Sequence, residues 1–137
     1  MKQIEELVCL EMRLDFGKIK AVPLVVSGRF LVHQGPMRQL SLKATSRLSF
    51  ISIYLHLFND LLILSSKNTS RFRVMDYAAL ASHVHVERLN TEVLGLPPDS
   101  FLLHLSQSHT GQPTAMILVA HTSSDKEVWM KALSSKR

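Results

Sequence analysis

The sequence predicts a mainly β protein, a seven-stranded antiparallel barrel or sandwich closed by a C-terminal α-helix and preceded by an extra N-terminal helix. Three patterns lead to this fold class. Residues 53–58 alternate between two faces, and Asn59-Asp60 then separates them from a second apolar run, which is typical of a β-hairpin. Residues 82–87 alternate in the same strict way. From Ser124 the period changes to that of a helix whose apolar side carries Trp129.

Short polar segments with glycine or proline separate the predicted strands. Gly35-Pro36 predicts a bend after the first strand, and residues 41–49 predict a polar, basic loop. Ser124 and Glu127 predict a capping box at the start of the final helix. The seven strands are predicted at residues 29–34, 53–58, 61–66, 71–77, 82–87, 101–105 and 115–120, and the final helix at residues 124–133. Trp129 is expected to be the structural anchor that plugs the barrel.

The first residues predict an amphipathic helix, since Ile4, Leu7, Val8 and Leu14 share one face of residues 3–14. No capping residue opens this helix, so we expect it to be the end of a longer one. Its apolar face would then meet partners outside the chain. Because isolated helices of this length are marginal in water, we expect it to be poorly anchored on the barrel.

Composition indicates a single globular domain. The chain has 137 residues, 46% hydrophobic and 20% charged, which is too apolar for a disordered protein. No run approaches the roughly 18 apolar residues of a membrane-spanning helix. Glutamates interrupt the apolar residues near the N-terminus, so no signal peptide is predicted. The single cysteine, Cys9, is expected to pack within the first helix, and the expected compartment is cytoplasmic.

The net charge of +5 is concentrated in one third of the sequence. Residues 38–73 hold six basic residues and one acidic residue, whereas the rest of the chain is balanced. This distribution predicts a molecule with one basic end, although two solvated loops would also explain it. The candidate lipid- and anion-binding residues, all near the two loops of this region, are Lys43, Arg47, Lys67, Arg71 and Arg73.

Enzymatic and nucleic-acid-binding patterns are absent from the sequence. Its five glycines form no phosphate-binding loop, and no paired carboxylates have acid–base spacing, so we predict neither an enzyme nor a cofactor. Only Phe50 and Phe72 lie near basic residues as a stacking platform would require, so nucleic acid is not expected as a partner.

Seven histidines raise the possibility of a metal site. His83 and His85 share a strand face with Glu87, but an exposed polar edge explains all three, and no metal is predicted. Three other histidines, which we expect to fill the flanks of the barrel among apolar residues, are His56, His104 and His121.

The ordered set of motifs resembles the pleckstrin-homology (PH) domain that follows the Dbl-homology (DH) domain of Rho-family guanine-nucleotide exchange factors, in particular the ephexin-like subgroup. The motifs are Asp15-Phe-Gly-Lys-Ile-Lys20, Pro23-Leu24, Arg29-Phe-Leu-Val32, Leu57-Phe-Asn-Asp60 and Trp129. The resemblance implies that residues 1–16 are the end of the last DH helix with its linker, and that residues 17–137 are the PH domain. It also implies a non-catalytic, monomeric module whose partners are the adjacent DH domain and a Rho-family GTPase.

The sequence departs from PH domains that bind phosphoinositides tightly. Such domains carry a lysine in the first strand and a basic-x-basic pair in the second. Here the corresponding positions are His33-Gln34 and Phe50–Tyr54. The loop cations remain, so we expect weak electrostatic attachment to acidic phospholipids at the inner face of the plasma membrane.

A phosphotyrosine-binding-like adaptor is the alternative interpretation, because that class shares the barrel and the C-terminal helix. Such an adaptor would bind a peptide in the groove between one strand and the helix.

Overall fold

Eight strands and three helices make up the computed structural model, which describes residues 2–17, 23–42, 48–67, 71–79, 84–108 and 111–134. The helices are α1 (Lys2–Arg13), α2 (Thr91–Leu94) and α3 (Ser123–Ser134). The strands are β1 (Leu14–Asp15), β2 (Leu31–Leu42), β3 (Leu48–Phe58), β4 (Leu61–Lys67), β5 (Phe72–Ala79), β6 (Val84–Arg88), β7 (Ser100–Leu105) and β8 (Thr114–Val119). The predicted mainly β fold with a final helix is therefore confirmed, with β2–β8 as the seven predicted strands.

All strands belong to one sheet in the order β1-β5-β4-β3-β2-β8-β7-β6. Every neighbouring pair is antiparallel except β1 and β5, which pair in parallel. Strand β2 joins the two halves: it pairs with β3 from Leu31 to Leu42, but with β8 only at Arg38 and Gln39. Within the described residues, β1 and β6 lie at the two edges, so the sheet is not closed into a barrel.

The inner core lies between the two halves of the sheet and α3. Inward-facing residues alternate along each strand, as the period of two requires. Trp129 lies at the centre of this core and is 0% exposed. The centroid of its indole ring is 4.5 Å from that of the His33 ring, and its side chain approaches Gly35. The buried residues of this core are Met37, Ile53, Leu55, Leu57, Leu62, Leu64, Ala78, Val84, Phe101, Leu103, Leu105, Leu118, Ala120, Trp129, Met130 and Leu133.

The predicted hairpin joins β3 to β4, and its turn residues also bind a neighbouring loop. The Asn59 side chain accepts a hydrogen bond from the Phe30 N–H (2.9 Å) and donates one to the Gly28 carbonyl (3.0 Å). Arg29 pairs with Asp60 in a bidentate ion pair of 2.9 and 3.0 Å. Four side-chain contacts therefore fix the start of β2 against the tip of the hairpin.

Helix α1 does not behave as predicted. It packs on the outer face of β3–β5 through Leu7 and Leu10, next to Leu14 of β1, and Leu7 is only 1% exposed. Ile4, three residues before Leu7, is 50% exposed. The predicted stripe was therefore displaced around the helix, and the expectation of a poorly anchored helix was wrong. The second cluster formed in this way contains Leu7, Leu10, Leu14, Leu24, Phe58, Leu61, Ile63, Phe72 and Val74.

The region around α1 shows two further features. Cys9 is exposed rather than packed, because it lies on the solvent side of α1. The Glu11 carboxylate accepts a hydrogen bond of 2.7 Å from the Leu24 N–H, which holds the connector against the helix. The boundary proposed between residues 1–16 and 17–137 stays a prediction.

Helix α3 begins one residue earlier than predicted and has a different cap. The Thr122 hydroxyl accepts a hydrogen bond of 3.0 Å from the Asp125 N–H, so Thr122 rather than Ser124 is the N-cap. The Glu127 carboxylate contacts Arg88 on β6 instead of closing a capping box. His121, which we expected in a strand, is exposed in the turn before α3.

Two other local predictions were incomplete. Strand β2 continues through Gly35-Pro36, because pairing with β3 along its whole length carries the chain past the predicted bend. Helix α2 was not predicted; Asn90 caps it through the Val93 N–H (3.2 Å), and Gly95 ends it at a φ of 69°. Within the residues that the structure describes, each helix is too short or too polar to cross a membrane.

Candidate anion-binding surface

Two hairpin loops lie at the same end of the sheet. The last pair of β2 and β3 is Leu42–Leu48, and the last pair of β4 and β5 is Lys67–Phe72. Because β3 and β4 are antiparallel, with Tyr54 opposite Ser65, the start of β3 and the end of β4 face the same way. The loop that holds Lys43 and Arg47 lies outside the described residues, but its two ends are fixed at this basic end of the sheet.

Three predicted cations lie where β4 turns into β5. Lys67 is the last residue of β4 and pairs with Phe72, while Ser66 pairs with Arg73. Arg71 and Arg73 are exposed on either side of Phe72. The backbone thus brings the chain positions of Lys67, Arg71 and Arg73 together at one corner, as their spacing in the sequence suggested.

Arg13 joins this corner from a distant part of the chain. It immediately precedes Leu14, which pairs in parallel with Phe72, so Arg13 lies beside the start of β5. Its guanidinium carbon is 5.2 Å from the centre of the Phe72 ring, within range of a cation–π contact. Sequence analysis missed Arg13, because no local pattern indicates a parallel pairing between segments so far apart.

His56 lies buried beneath the same corner. Its ring centroid is 4.9 Å from that of Tyr54 and 4.7 Å from that of Phe72, and neither ring nitrogen has a hydrogen-bond partner among the described residues. Burial, with a smaller contribution from the positive charge of Arg13, lowers the pKa of His56 to about 4. The imidazole is therefore neutral at pH 7 and adds no positive charge to the surface. It fills the sheet flank among aromatic residues, as expected from the sequence.

The first long strand extends beyond its predicted end at Gln34 and therefore contains Arg38. Arg38 lies on β2 opposite Ser52, and its guanidinium carbon is 5.2 Å from the Phe50 ring centre. Its Nε atom is buried without a hydrogen-bond partner among the described residues. We missed it because the strand was expected to end at Gln34, whereas β2 reaches Leu42.

Sequence analysis compared His33 and Gln34 with the first-strand lysine of domains that bind phosphoinositides tightly. Both residues lie near the start of β2, whereas the basic loop follows its end at Leu42. His33 packs against Trp129, and the Tyr54 hydroxyl donates a hydrogen bond of 3.3 Å to the Gln34 side chain. Gln34 lines a pocket together with Arg13. Within the described part of β3, residues 48–58, there is no lysine or arginine, in agreement with the sequence analysis.

Within the described residues, the polar edge that includes His85 and Glu87 forms no cluster of three possible metal ligands. His85 and Glu87 are exposed on β6, and the His85 ring is 6.2 Å from that of His104 on β7. His83 lies outside the described residues. Elsewhere in the described ranges, no three His, Cys, Asp or Glu side chains come close enough to hold an ion.

Comparison with curated proteins gives matches over nearly the whole chain. The mouse protein Rho guanine nucleotide exchange factor 15 is 38% identical over 140 residues, which cover 96% of this chain and 16% of that protein. Rat ephexin-1 is 31% identical over 143 residues, covering 100% of this chain and 20% of that protein. The chain thus spans about a fifth or less of the relatives that it matches. No protein-family model matches it.

Solved structures give the same fold. The DH/PH domains of PDZ-RhoGEF, in complex with RhoA activated by GTP-gamma-S, superpose with a TM-score of 0.72 at 23% identity, over 96% of this chain and 38% of that chain. The DH/PH domains of p115-RhoGEF superpose with a TM-score of 0.69 at 16% identity, over 97% of this chain and 40% of that chain. At these identities the likeness concerns the fold alone.

Proposed function

Because this chain is a pleckstrin-homology domain related to those of the ephexin-like Rho guanine-nucleotide exchange factors, we propose that it is their non-catalytic, membrane-proximal module. In this proposal the basic end of the sheet attaches weakly to acidic phospholipids at the cytoplasmic face of the plasma membrane. The module would hold and regulate an adjacent DH domain that acts on a Rho-family GTPase. The relationship favours this function over that of a phosphotyrosine-binding-like adaptor.

One observation carries the membrane part of the proposal. Arg13, Arg71 and Arg73 meet at one corner, at the end of the sheet where the loop of Lys43 and Arg47 begins and ends. Each basic residue near an anionic membrane contributes roughly 1 kcal/mol. Three cations acting together would therefore strengthen binding about a hundredfold, which is short of stable anchoring. Without a basic residue in β3, we expect little preference among phosphoinositides.

Cosedimentation with phosphatidylserine-containing liposomes tests this proposal. We expect weak binding that falls steeply with salt, because the Debye length is only about 8 Å at physiological ionic strength. The double variant Arg71→Glu/Arg73→Glu should lose most of the binding. The matched control, Lys126→Glu/Lys131→Glu on α3, changes the net charge equally at the opposite end and should bind as the unmodified chain does.

Two results would contradict the proposal. Equal losses in both double variants would show that net charge, rather than the basic end, determines binding. Tight, salt-resistant binding of a single phosphoinositide isomer would show a stereospecific site instead of an electrostatic surface.

A further inference from the structure

A narrow groove lies between β2 and β8. The two strands pair only at Arg38–Val119 and Gln39–Leu118, although both extend further towards the basic end of the sheet. Beyond those pairs they enclose a groove of about 330 Å³, near the lower limit of small-ligand pockets. Five of its six lining residues are apolar, so the groove is an apolar cleft in the sheet. The lining residues are Gln39, Leu40, Leu102, Ala115, Met116 and Ile117.

Most of the apolar side chains in this groove face away from the inner core. Leu118 belongs to that core, so its neighbour Ile117 lies on the outer face, and Leu102 alternates with core residues in the same way. Among the described residues, Leu40, Leu102 and Ile117 belong to neither hydrophobic cluster. Phe50 pairs with Leu40 and is 40% exposed. These four side chains therefore form one outward apolar row across β7, β8, β2 and β3.

Arg38 adds a positive charge beside this row. It lies two residues before Leu40, on the same face of β2, and its guanidinium carbon is 5.2 Å from the centre of the Phe50 ring. Its Nε atom is buried without a hydrogen-bond acceptor, and no carboxylate forms an ion pair with it among the described residues. An anionic group bound there would provide the missing acceptor, in a charge-assisted hydrogen bond.

A carboxylate on the same face lies at the far end of the row. Glu87 is exposed on β6 opposite Leu102, three strands away from Arg38 on β2. The face is therefore negative at β6, apolar in the middle and positive at β2. This arrangement orients a ligand that has one negative end and one apolar end, with its charge at Arg38 and its apolar part towards β7.

We propose that this groove binds a single-chain anionic amphiphile of the fatty-acid class. Its carboxylate pairs with the Arg38 guanidinium and accepts the Nε–H, and its unbranched alkyl chain lies along Leu40, Ile117 and Leu102. A single alkyl chain suits a narrow cleft, whereas a helix, about 10–12 Å across with its side chains, needs a wider surface. The site is independent of the membrane function proposed above, because it uses none of the cations proposed to contact the membrane.

Titration of the isotope-labelled chain with soluble amphiphiles, followed by amide chemical shifts, tests this site. The probes are hexanoate, octanoate and decanoate, each below the concentration at which it forms micelles. Decyl maltoside and decyltrimethylammonium are the neutral and cationic counterparts of decanoate. We expect saturable shifts in residues 38–40 and 115–117 and at Leu102, with decanoate binding more tightly than either counterpart. Each added CH₂ should strengthen binding by up to about fourfold.

Two variants separate the contribution of the charged head from that of the alkyl chain. Arg38→Met removes the charge and keeps an unbranched side chain, so it should weaken decanoate binding about tenfold and leave decyl maltoside binding unchanged. Ala115→Trp fills the groove from an exposed position and should abolish binding of every probe. Lys126→Met on α3 is the charge-matched control and should bind decanoate as the unmodified chain does. The dispersion of the amide spectrum shows whether each variant is folded.

Several outcomes would overturn the proposal. These are an absence of saturable shifts up to about 1 mM decanoate, equal binding of the anionic and cationic probes, unchanged decanoate binding by Arg38→Met, or undiminished binding by Ala115→Trp. Shifts confined to residues 71–73 would assign the amphiphile to the basic end of the sheet. Concentration-dependent shifts in residues 115–117 without any amphiphile, together with a dimer in sedimentation, would show that a second copy of the chain covers the groove instead.

Discussion

The two hydrophobic clusters lie on opposite faces of the same strands but have different origins. The inner core around Trp129 gathers inward-facing residues from seven strands and α3, and its members follow the alternation visible in the sequence. The outer cluster exists because α1 covers the other face of β3–β5. Because strand β4 is buried on both faces, its residues from Leu61 to Leu64 are all apolar. The apolar run of β4 thus marks burial on both faces of that strand.

Removing the central side chain of the inner core is expected to have the largest effect. Trp129→Ala should lower the free energy of unfolding by about 3–5 kcal/mol, because a fully buried Trp leaves a large cavity. Chemical denaturation measures this change. Val128→Ala, on the exposed side of the same helix, is the control and should have little effect. An unchanged midpoint for Trp129→Ala would mean that α3 is not part of the cooperative core.

A smaller loss is expected in the outer cluster. Leu7→Ala should destabilise the chain by about 3 kcal/mol and release α1, since Leu7 is the most buried residue of that helix. Amide hydrogen exchange should then become fast across α1 while the inner strands remain protected. Ile4→Ala, on the same helix but half exposed, should leave exchange unchanged. Equal effects of the two variants would show that α1 is not docked on β3–β5.

The outer cluster should also be the more sensitive of the two to acid. His56 packs against Phe72 of this cluster, and its pKa is about 4, below the ordinary value of 6.5. At His56 the unfolded chain therefore binds a proton more readily than the folded chain does. The full free energy of unfolding is present above pH 6.5, and part of it is lost as the pH falls towards 4. Between pH 7.5 and 5 the free energy of unfolding should decrease by about 2 kcal/mol.

Thermal or chemical denaturation across that pH range measures the effect. His56→Phe should flatten the dependence of stability on pH, whatever its effect on stability at pH 7.5. His121→Phe removes an exposed histidine and should keep the slope of the unmodified chain. A slope that survives in His56→Phe would assign the acid sensitivity to another group.

Much of the site could not be predicted, for reasons that particular residues show. Arg71 and Arg73 were found because the turn and the strand that hold them are local features. Arg13 and Arg38 were missed: the first needs the parallel pairing of Leu14 with Phe72, and the second needs the true length of β2.

The sequence by itself determined the elements whose signals are local. Alternation, the Asn59-Asp60 turn and the helical period around Trp129 each depend on neighbours in the chain, so they specify the hairpin, most of the strands and the final helix. Only the tertiary structure decided which face of α1 is buried, which group caps α3 and which cations share a corner. Those choices depend on the free energy of contacts between distant segments, such as Leu7 with β3–β5 or Glu127 with Arg88, and a local pattern carries no record of them.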